Sequence, residues 1–333
     1  MLIWGAGAVG GTLGAALSRA GEDVLFVDIV EDHVEACRTE GLQISGPVTS
    51  FRQVVPATTP GRLSGTFERI VLAVKAQHTE AAAKALLPFL APDGYVLSAQ
   101  NGLNELEISN VVGADRTMGA FVNFGADWLG PGEILFGNRG AVVVGEIDGA
   151  IRPRTEAMHR ILSLFEPDAI LTDDIWAYLW GKLGYGALLF GTALTVQSMA
   201  ENFRDPARTD AFIALGREVM AVAQARGAKP RGFNGFEPSA FAPGGNDDAA
   251  RASIAALAEF NSKTAKTHTG IYRDLAVRNR KTEVDAQVGA IVRLGAEAGV
   301  ATPTLSRLVD LIHDIEEGRR PMGAETFALL SAP

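Results

Sequence analysis

The first fourteen residues, MLIWGAGAVGGTLG, constrain the fold more than any other stretch of this chain. A short apolar run, Leu2-Ile3-Trp4, meets Gly5-Ala6-Gly7-Ala8-Val9-Gly10, and an alanine-rich amphipathic segment follows to Ala20. A strand, a glycine turn and a helix start thus succeed one another without a spacer. In such a unit Gly5 permits the tight turn, Gly7 lets a pyrophosphate approach the backbone, and Gly10 lets the helix lie close to the strand. The helix start adds N–H groups and a partial positive charge suited to phosphate. Gly5, Gly7, Ala8, Val9 and Gly10 are therefore candidate cofactor-binding residues. A GxGxxG motif by itself also closes ordinary turns. Here it has its context, because a second strand-like run, Val24-Leu25-Phe26-Val27, ends in Asp28 at the distance a nucleotide-binding unit requires.

The length of 333 residues suits two domains, and 47% apolar residues with a mean hydropathy of +0.13 supply sizeable cores. No uninterrupted apolar run approaches the roughly 18 residues of a membrane span. No basic segment, apolar core and cleavage site precede the first strand, so no secretory leader is expected, although that strand is short enough for a few residues to lie upstream of it. The single cysteine, Cys37, excludes an internal disulfide and fits a reducing, cytoplasmic setting; it reads as a packed helix thiol. A net charge of −9 argues against general nucleic-acid binding, and an anionic substrate would need locally placed cations.

Up to about Asp168 strand-like and helix-like segments alternate, which implies a parallel sheet covered by helices. Strands are expected at 2–4, 24–28, 69–75, 94–98, 117–123 and 140–145, and helices at 9–20, 31–40, 79–90 and 103–112. Ser45 to Val55 reads as an inserted hairpin with Gly46-Pro47 at its turn, and a second hairpin is expected around Gly130-Pro131-Gly132, between Phe124 and Ile134-Leu135-Phe136. Beyond Thr172 helical spacing dominates, at 173–201, 206–226, 248–264, 282–298 and 304–317. The expected organisation is α/β: a dinucleotide-binding domain over 1–170 and an all-helical substrate and catalytic domain over 171–333. The Gly-, Pro- and Phe-rich stretch 228–246 interrupts the helices and reads either as a lid or as a surface excursion.

Several residues carry chemistry. A carboxylate at Asp28 can accept both ribose hydroxyls of NAD while repelling the 2′-phosphate of NADP; the other reading, a cap on the next helix, is a role that Asp32 could serve, and the ribose role is favoured. Lys75, in Val74-Lys75-Ala76-Gln77, and Asn101, in Gln100-Asn101-Gly102, fall at C-terminal strand ends, where open α/β sheets place ligands. In Trp180-Gly181-Lys182-Leu183 a lysine stands in a helix with no other charge from Gly181 to Val196. Such a lysine must snorkel, pair or titrate, and burial would bring it toward the range of an acid–base catalyst. Glu283, in Lys281-Thr282-Glu283-Val284-Asp285, either compensates a helix dipole or partners Lys182. His33, His78, His159, His268 and His313 show no metal-ligand spacing and read mostly as surface or helix residues. His268, beside Thr269, is a candidate substrate contact, with Lys263, Lys266 and Arg273 as nearby cations.

Taken together these residues resemble the ketopantoate reductase family from Gly5 to about Glu317. The landmarks are Gly5-x-Gly-x-x-Gly10, Lys75, Gln100-Asn101-Gly102, Pro131-Gly132, Trp180-x-Lys182-Leu183, Thr282-Glu283-Val284-Asp285, Gly289, Gly295, Gly299 and Pro303. The resemblance implies a Rossmann-type domain followed by a helical domain, with catalysis in the cleft between them. It implies Lys182 as general acid–base, Glu283 as its partner, and Asn101 and Lys75 lining the cofactor and substrate site. The chain departs from the family at instructive places. Biosynthetic members carry a basic residue after the second strand, suited to NADP, where this chain has Asp28. They place asparagines one and two turns after the lysine, where this chain has Gly186 and Phe190, with Tyr185 adjacent. The family's serine falls here at Thr269 or Gly270. The resulting expectation is an oxidoreductase that moves a hydride between NAD(H) and a small anionic 2-hydroxy or 2-oxo acid other than ketopantoate, with Asn101, Tyr185, His268 and Thr269 on the substrate. A homodimer is the assembly considered, without nucleic acid, membrane or metal. The alternatives are an NADPH-dependent 2-dehydropantoate 2-reductase and a nucleotide sensor without catalysis.

Overall fold

A computed structural model describes residues 1–264 and 266–331. Spatial clustering divides the chain into Met1–Ile175 and Trp176–Pro333. In the first unit, apolar residues run along strands buried on both faces. β1 (Leu2–Trp4), α1 (Ala8–Arg19), β2 (Leu25–Val27) and α2 (Glu31–Thr39) open it. A hairpin follows, β3 (Leu42–Ser45) with β4 (Phe51–Gln53), and then β5 (Ala57–Thr58), β6 (Phe67–Leu72), α3 (Thr79–Leu86), β7 (Leu90–Ser98), α4 (Asn104–Val112) and β8 (Thr117–Val122). The unit closes with β9 (Gly125–Gly130), β10 (Glu133–Asn138), β11 (Val142–Glu146), α5 (Pro153–Phe165) and β12 (Ile170–Leu171).

The main sheet has the order β12-β11-β8-β7-β6-β1-β2-β5. Its ladders are parallel except between β8 and β11. From β5 to β8 this is the doubly wound dinucleotide-binding order, whose direction of winding reverses between β1 and β6. Both expected hairpins form, and they join through a parallel β3–β10 ladder into a second sheet, β4-β3-β10-β9. Helix α1 lies against this sheet at Gly11, where a Cβ would stand 2.5 Å from Ile134 Cδ1. One core, containing Ile3, Leu13, Phe26, Leu42, Ile134 and Phe136, links the two sheets.

The second unit is helical: α6 (Ile175–Thr192) starts on the last residue of the first unit, followed by α7 (Met199–Arg204), α8 (Thr209–Ala225), α9 (Pro238–Phe241), α10 (Asp247–Ser262), α11 (Gly270–Ala276), α12 (Val284–Glu297), α13 (Pro303–Glu316) and α14 (Ala324–Ala328). The helix expected over 173–201 is two helices. Thr192 turns its hydroxyl back to Leu189 O, and Asn202 Nδ2 bonds Gln197 O and Ser198 O at 3.0 Å, which orders a turn where the apolar pattern runs on. Ser198 and Glu201 then form a capping box that starts α7. The stretch 228–246 is anchored in its middle rather than projecting. Phe236 and Phe241 are buried, and Gly184 and Gly216 make room for their rings on α6 and α8. Among the described residues no helix is long and apolar enough to cross a membrane, and no group of three His, Cys, Asp or Glu is placed to hold a metal.

Candidate active site

The glycine turn lies at the sheet's switch point, between the C-terminal ends of β1 and β6. Gly5 has φ +96°, and a Cβ there would meet Val74 N at 2.9 Å, so the loops after β1 and β6 touch only because the side chain is absent. A Cβ on Gly10 would stand 2.0 Å from Gly5 O and 3.0 Å from Ile3 Cγ2, which fixes α1 against its strand. At Gly7 the opposite holds: nothing lies within 4 Å of the place a Cβ would take. Gly7 caps α1, contributes no side chain to its first turn, and no acidic residue follows in that turn. The N–H groups that begin α1, at Ala8 and Val9, therefore border an open, weakly positive concavity that fits a pyrophosphate.

Asp28 stands at the tip of β2. Its Oδ2 accepts from Ala6 N at 2.8 Å, and its Oδ1 accepts from Val30 N at 3.0 Å. The carboxylate thus ties the glycine turn to the start of α2, and each oxygen keeps a further lone pair for a ligand. Beyond it come Ile29, 81% exposed, Val30, Glu31 and Asp32, a run without a cation. The basic group recorded near this run is Arg62, 4.0 Å from Glu31 and largely exposed.

Lys75 and Asn101 occupy the ends of β6 and β7, and a buried polar network orders both loops. Gln100 Nε2 donates to Val74 O at 2.9 Å and to Thr79 Oγ1 at 2.8 Å. Thr79 Oγ1 donates to Ala76 O or to Asn104 Oδ1, at 2.8 and 3.0 Å, and Asn104 Nδ2 donates to Asn101 O at 2.8 Å. Gln100 is the scaffold here, while Asn101 is exposed. Thr79 and Asn104 were not singled out by sequence, since a Thr before a helix and an Asn in a turn read as caps.

His33 lies on α2, one of the two settings expected for the histidines, and it is 1% exposed because the β9–β10 hairpin folds over it. Its Nδ1 accepts from Gly132 N at 3.0 Å, with Trp128 Nε1 at 3.4 Å, and its Nε2 lies 2.8 Å from Ala6 O. Pro131-Gly132, a landmark in the sequence, is thereby connected to the glycine turn.

In the helical unit Lys182 is half-buried on α6 and Glu283 is the N-cap residue just before α12. Gly186, one turn after Lys182, faces Gln287, one turn after Glu283; a Cβ on Gly186 would stand 3.9 Å from Gln287 Oε1. Gly186 and Gln287 are thus neighbours, each four residues beyond a candidate catalytic residue. Tyr185, expected on the substrate, is instead 7% exposed, with its hydroxyl 2.9 Å from Asn261 Nδ2 and its ring stacked near Phe236. Burial pushes that hydroxyl up to about 12. Phe190 is fully buried and belongs to the core. Thr269 is 4% exposed, and its hydroxyl accepts from Tyr272 N at 2.9 Å as the cap of α11. His268 is partly open, its ring tilted by 37° against that of Tyr272 at 4.2 Å between centroids, with Nδ1 2.9 Å from Thr267 Oγ1. It edges a polar hollow of about 460 Å³ with Ser198, Glu201, Arg204 and Thr267, a hollow that includes neither Lys182 nor Glu283. Lys263 pairs with Glu259 at the surface.

Comparison with known proteins agrees with this architecture. The family model described as ketopantoate reductase PanE/ApbA matches residues 1–149, and that of its C-terminal domain matches 174–316. A 2-dehydropantoate 2-reductase of Archaeoglobus fulgidus is 30% identical over 320 residues, covering 95% of this chain and 97% of that protein. The crystal structure of a PanE/ApbA family ketopantoate reductase from Ralstonia eutropha superposes with a TM-score of 0.79 at 26% identity, covering 96% of this chain and 99% of that one. D-Mandelate dehydrogenase, solved with NADH and anilino(oxo)acetate, shares the fold with a TM-score of 0.81 at 24% identity, covering 96% and 99%. With both of its units matched, this chain belongs to the ketopantoate reductase PanE/ApbA family of oxidoreductases.

Proposed function

We propose that this chain is an NAD(H)-dependent oxidoreductase that interconverts a 2-hydroxy acid and a 2-oxo acid. The observation that carries the reading is Asp28, held at the tip of β2 beside the open face of Gly7 and followed by an uncharged and then acidic run. A carboxylate there accepts ribose hydroxyls and repels a 2′-phosphate. The fold shared with a D-mandelate dehydrogenase solved with NADH supports a cofactor and substrate of this class.

Nicotinamide, when bound, supplies or accepts the hydride at C2 of the acid. Gly7, Ala8 and Val9 would hold the pyrophosphate through backbone N–H groups, with Gly10 keeping α1 close to β1, and Lys75 and Asn101 would orient what binds beyond the ends of β6 and β7. Lys182 serves as the general acid. Its ammonium stabilises the developing alkoxide and gives it a proton, so that hydride and proton together convert the ketone to the alcohol; in oxidation the neutral amine takes the proton back. Glu283 is the proposed partner of Lys182.

A second reading is NADPH-dependent reduction of 2-dehydropantoate, the activity named for the curated relatives. Arg62, beside Glu31, is the observation in its favour, being a cation near the Asp28 tip. The deciding experiment is to dialyse the protein and follow the absorbance of NADH and of NADPH with a panel of 2-oxo acids, for the wild type and Lys182→Ala. Turnover with NADH that falls roughly 10²–10⁴-fold in Lys182→Ala supports the proposal. Preference for NADPH with 2-dehydropantoate supports the second reading. Nucleotide binding without turnover of any acid supports a sensor.

A further inference from the structure

His33 lies outside the reacting groups, yet its hydrogen bonds lead directly to the phosphate-binding backbone. A neutral imidazole has one donor and one acceptor nitrogen. Gly132 N–H points at Nδ1 from 3.0 Å and Trp128 Nε1–H from 3.4 Å, so Nδ1 is the acceptor. The proton therefore sits on Nε2, which donates to Ala6 O at 2.8 Å. The Cys37 Sγ, 3.7 Å from Nε2, completes the surroundings of the ring as a buried thiol.

Ala6 is the middle residue of the Gly5-x-Gly7 turn, and it is gripped on both sides. Asp28 takes its N–H and His33 takes its C=O. The Ala6 carbonyl belongs to the same peptide as the Gly7 N–H. In a planar trans peptide these two groups point in opposite directions, and no cis bond occurs among the described residues. Pulling the carbonyl toward α2 thus turns the Gly7 N–H away from His33, on the residue whose Cβ side is open. Without the bond that peptide is freer to rotate, and a donor that must meet a phosphate would have to be ordered upon binding.

We infer that His33 is a positioning residue for dinucleotide binding: through Ala6 it presets the Gly7 amide, and the β9–β10 hairpin holds it in the required tautomer through Gly132. The inference rests on the nucleotide-binding reading above. It also gives the second sheet a role, since that sheet carries the group that selects the tautomer.

The two bonds of the ring can be separated by substitution. In His33→Gln the amide nitrogen takes the place of Nε2 and keeps a donor for Ala6. In His33→Asn the amide oxygen takes the place of Nδ1 and keeps only the acceptor for Gly132. Kd for NADH and NADPH is measured by quenching of intrinsic fluorescence, beside kcat, KM and thermal melting. His33→Asn is expected to raise Kd by about tenfold or more, the worth of one net hydrogen bond. Its kcat at saturating cofactor should stay within about threefold, because nothing in the chemical step has changed. His33→Gln should hold Kd within about threefold of wild type. Wild-type affinity in His33→Asn overturns the inference. So does a tenfold loss in a folded His33→Gln, which decides the matter even if the asparagine variant does not fold. Failure of the wild type to bind either nucleotide would instead overturn the nucleotide-binding reading on which the inference rests.

Discussion

The Ala6 amide and the Asp28 carboxylate are joined at 2.8 Å, so the acid suited to a ribose also holds the glycine turn in place. Substitution at Asp28 must therefore act on two quantities. Asp28→Ala removes both the bond to Ala6 and the one to Val30, and hydrogen bonds to a charged group contribute about 1.5–3 kcal/mol each. It is expected to weaken NADH binding at least about tenfold and to lower stability in urea. Asp28→Asn keeps an acceptor for Ala6 but loses the charge, so it should retain most of the stability while the preference for NADH over NADPH shrinks. Unchanged NADH affinity in Asp28→Ala, measured by titration, would remove the basis of the NAD assignment.

The Phe236 and Phe241 rings make the 228–246 stretch a part of the helical core. Phe241 is fully buried, and on α8 only a glycine, Gly216, leaves room for its ring. Phe241→Ala should cost about 3–5 kcal/mol, as for other buried phenylalanines. A loss of unfolding free energy in urea of less than a quarter of that would show the stretch to be only loosely attached.

Much of this fold was legible because strands buried on both faces leave continuous apolar runs, and the glycine turn fixes where the first one ends. Helix α5 was missing from the expected elements although Pro153 at its first turn and Met158, Ile161, Leu162 and Phe165 at helical spacing announce it. The break after Thr192 was not legible, since Ala193 and Leu194 continue the apolar pattern and Asn202, ten residues on, bonds the turn's backbone. The burial of His33 was not legible for a related reason. Its neighbours Glu31, Asp32 and Glu35 describe a solvated face, whereas its cover comes from Trp128 and Gly132, almost a hundred residues away. Of the candidate site, the backbone cradle was visible in the glycine spacing. The engagement of Tyr185 by Asn261 and of Thr269 as a cap depends on which way a side chain turns, which spacing alone leaves open.

Alkaline pH should destabilise the protein through groups buried in neutral form. Burial raises the Cys37 thiol from 9.0 to about 12, and the Tyr95 and Tyr185 hydroxyls from 10.0 to about 12. Between these values the unfolded chain releases protons that the folded chain retains, so stability falls as pH rises. It is fully present below about pH 9, and it declines progressively toward pH 12. Cys37→Ala should flatten the first part of that decline in urea melts taken at successive pH values. The wild-type thiol should also resist iodoacetamide at pH 8 until denaturant is added. Rapid alkylation of the native protein would contradict the burial of Cys37.

On the proposed reading, the substrate is selected near Gly186 on α6 and Gln287 on α12. Gly186 offers no side chain one turn beyond Lys182, Phe190 is given over to the core, and the amide nearest the gap is Gln287 on α12. Ketopantoate carries a carboxylate, a carbonyl and a terminal hydroxyl, each of which needs a polar partner once water is excluded. Each buried polar group left unpaired costs about 1–3 kcal/mol, so the loss of two partners lowers kcat/KM by roughly two to four orders of magnitude. Another 2-oxo acid should therefore outrank ketopantoate in a side-by-side comparison of sugar-derived, aromatic and branched acids with NADH. Gln287→Leu should then reduce kcat/KM for the preferred acid by about tenfold or more while leaving the Kd for NADH unchanged, since it removes an amide rather than any part of the glycine turn. If ketopantoate ranks first with a kcat/KM near about 10⁵ M⁻¹s⁻¹, ordinary for a natural substrate, then neither Gly186 nor Phe190 has cost this chain its family's substrate, and Gln287 is the first residue to test as the replacement partner.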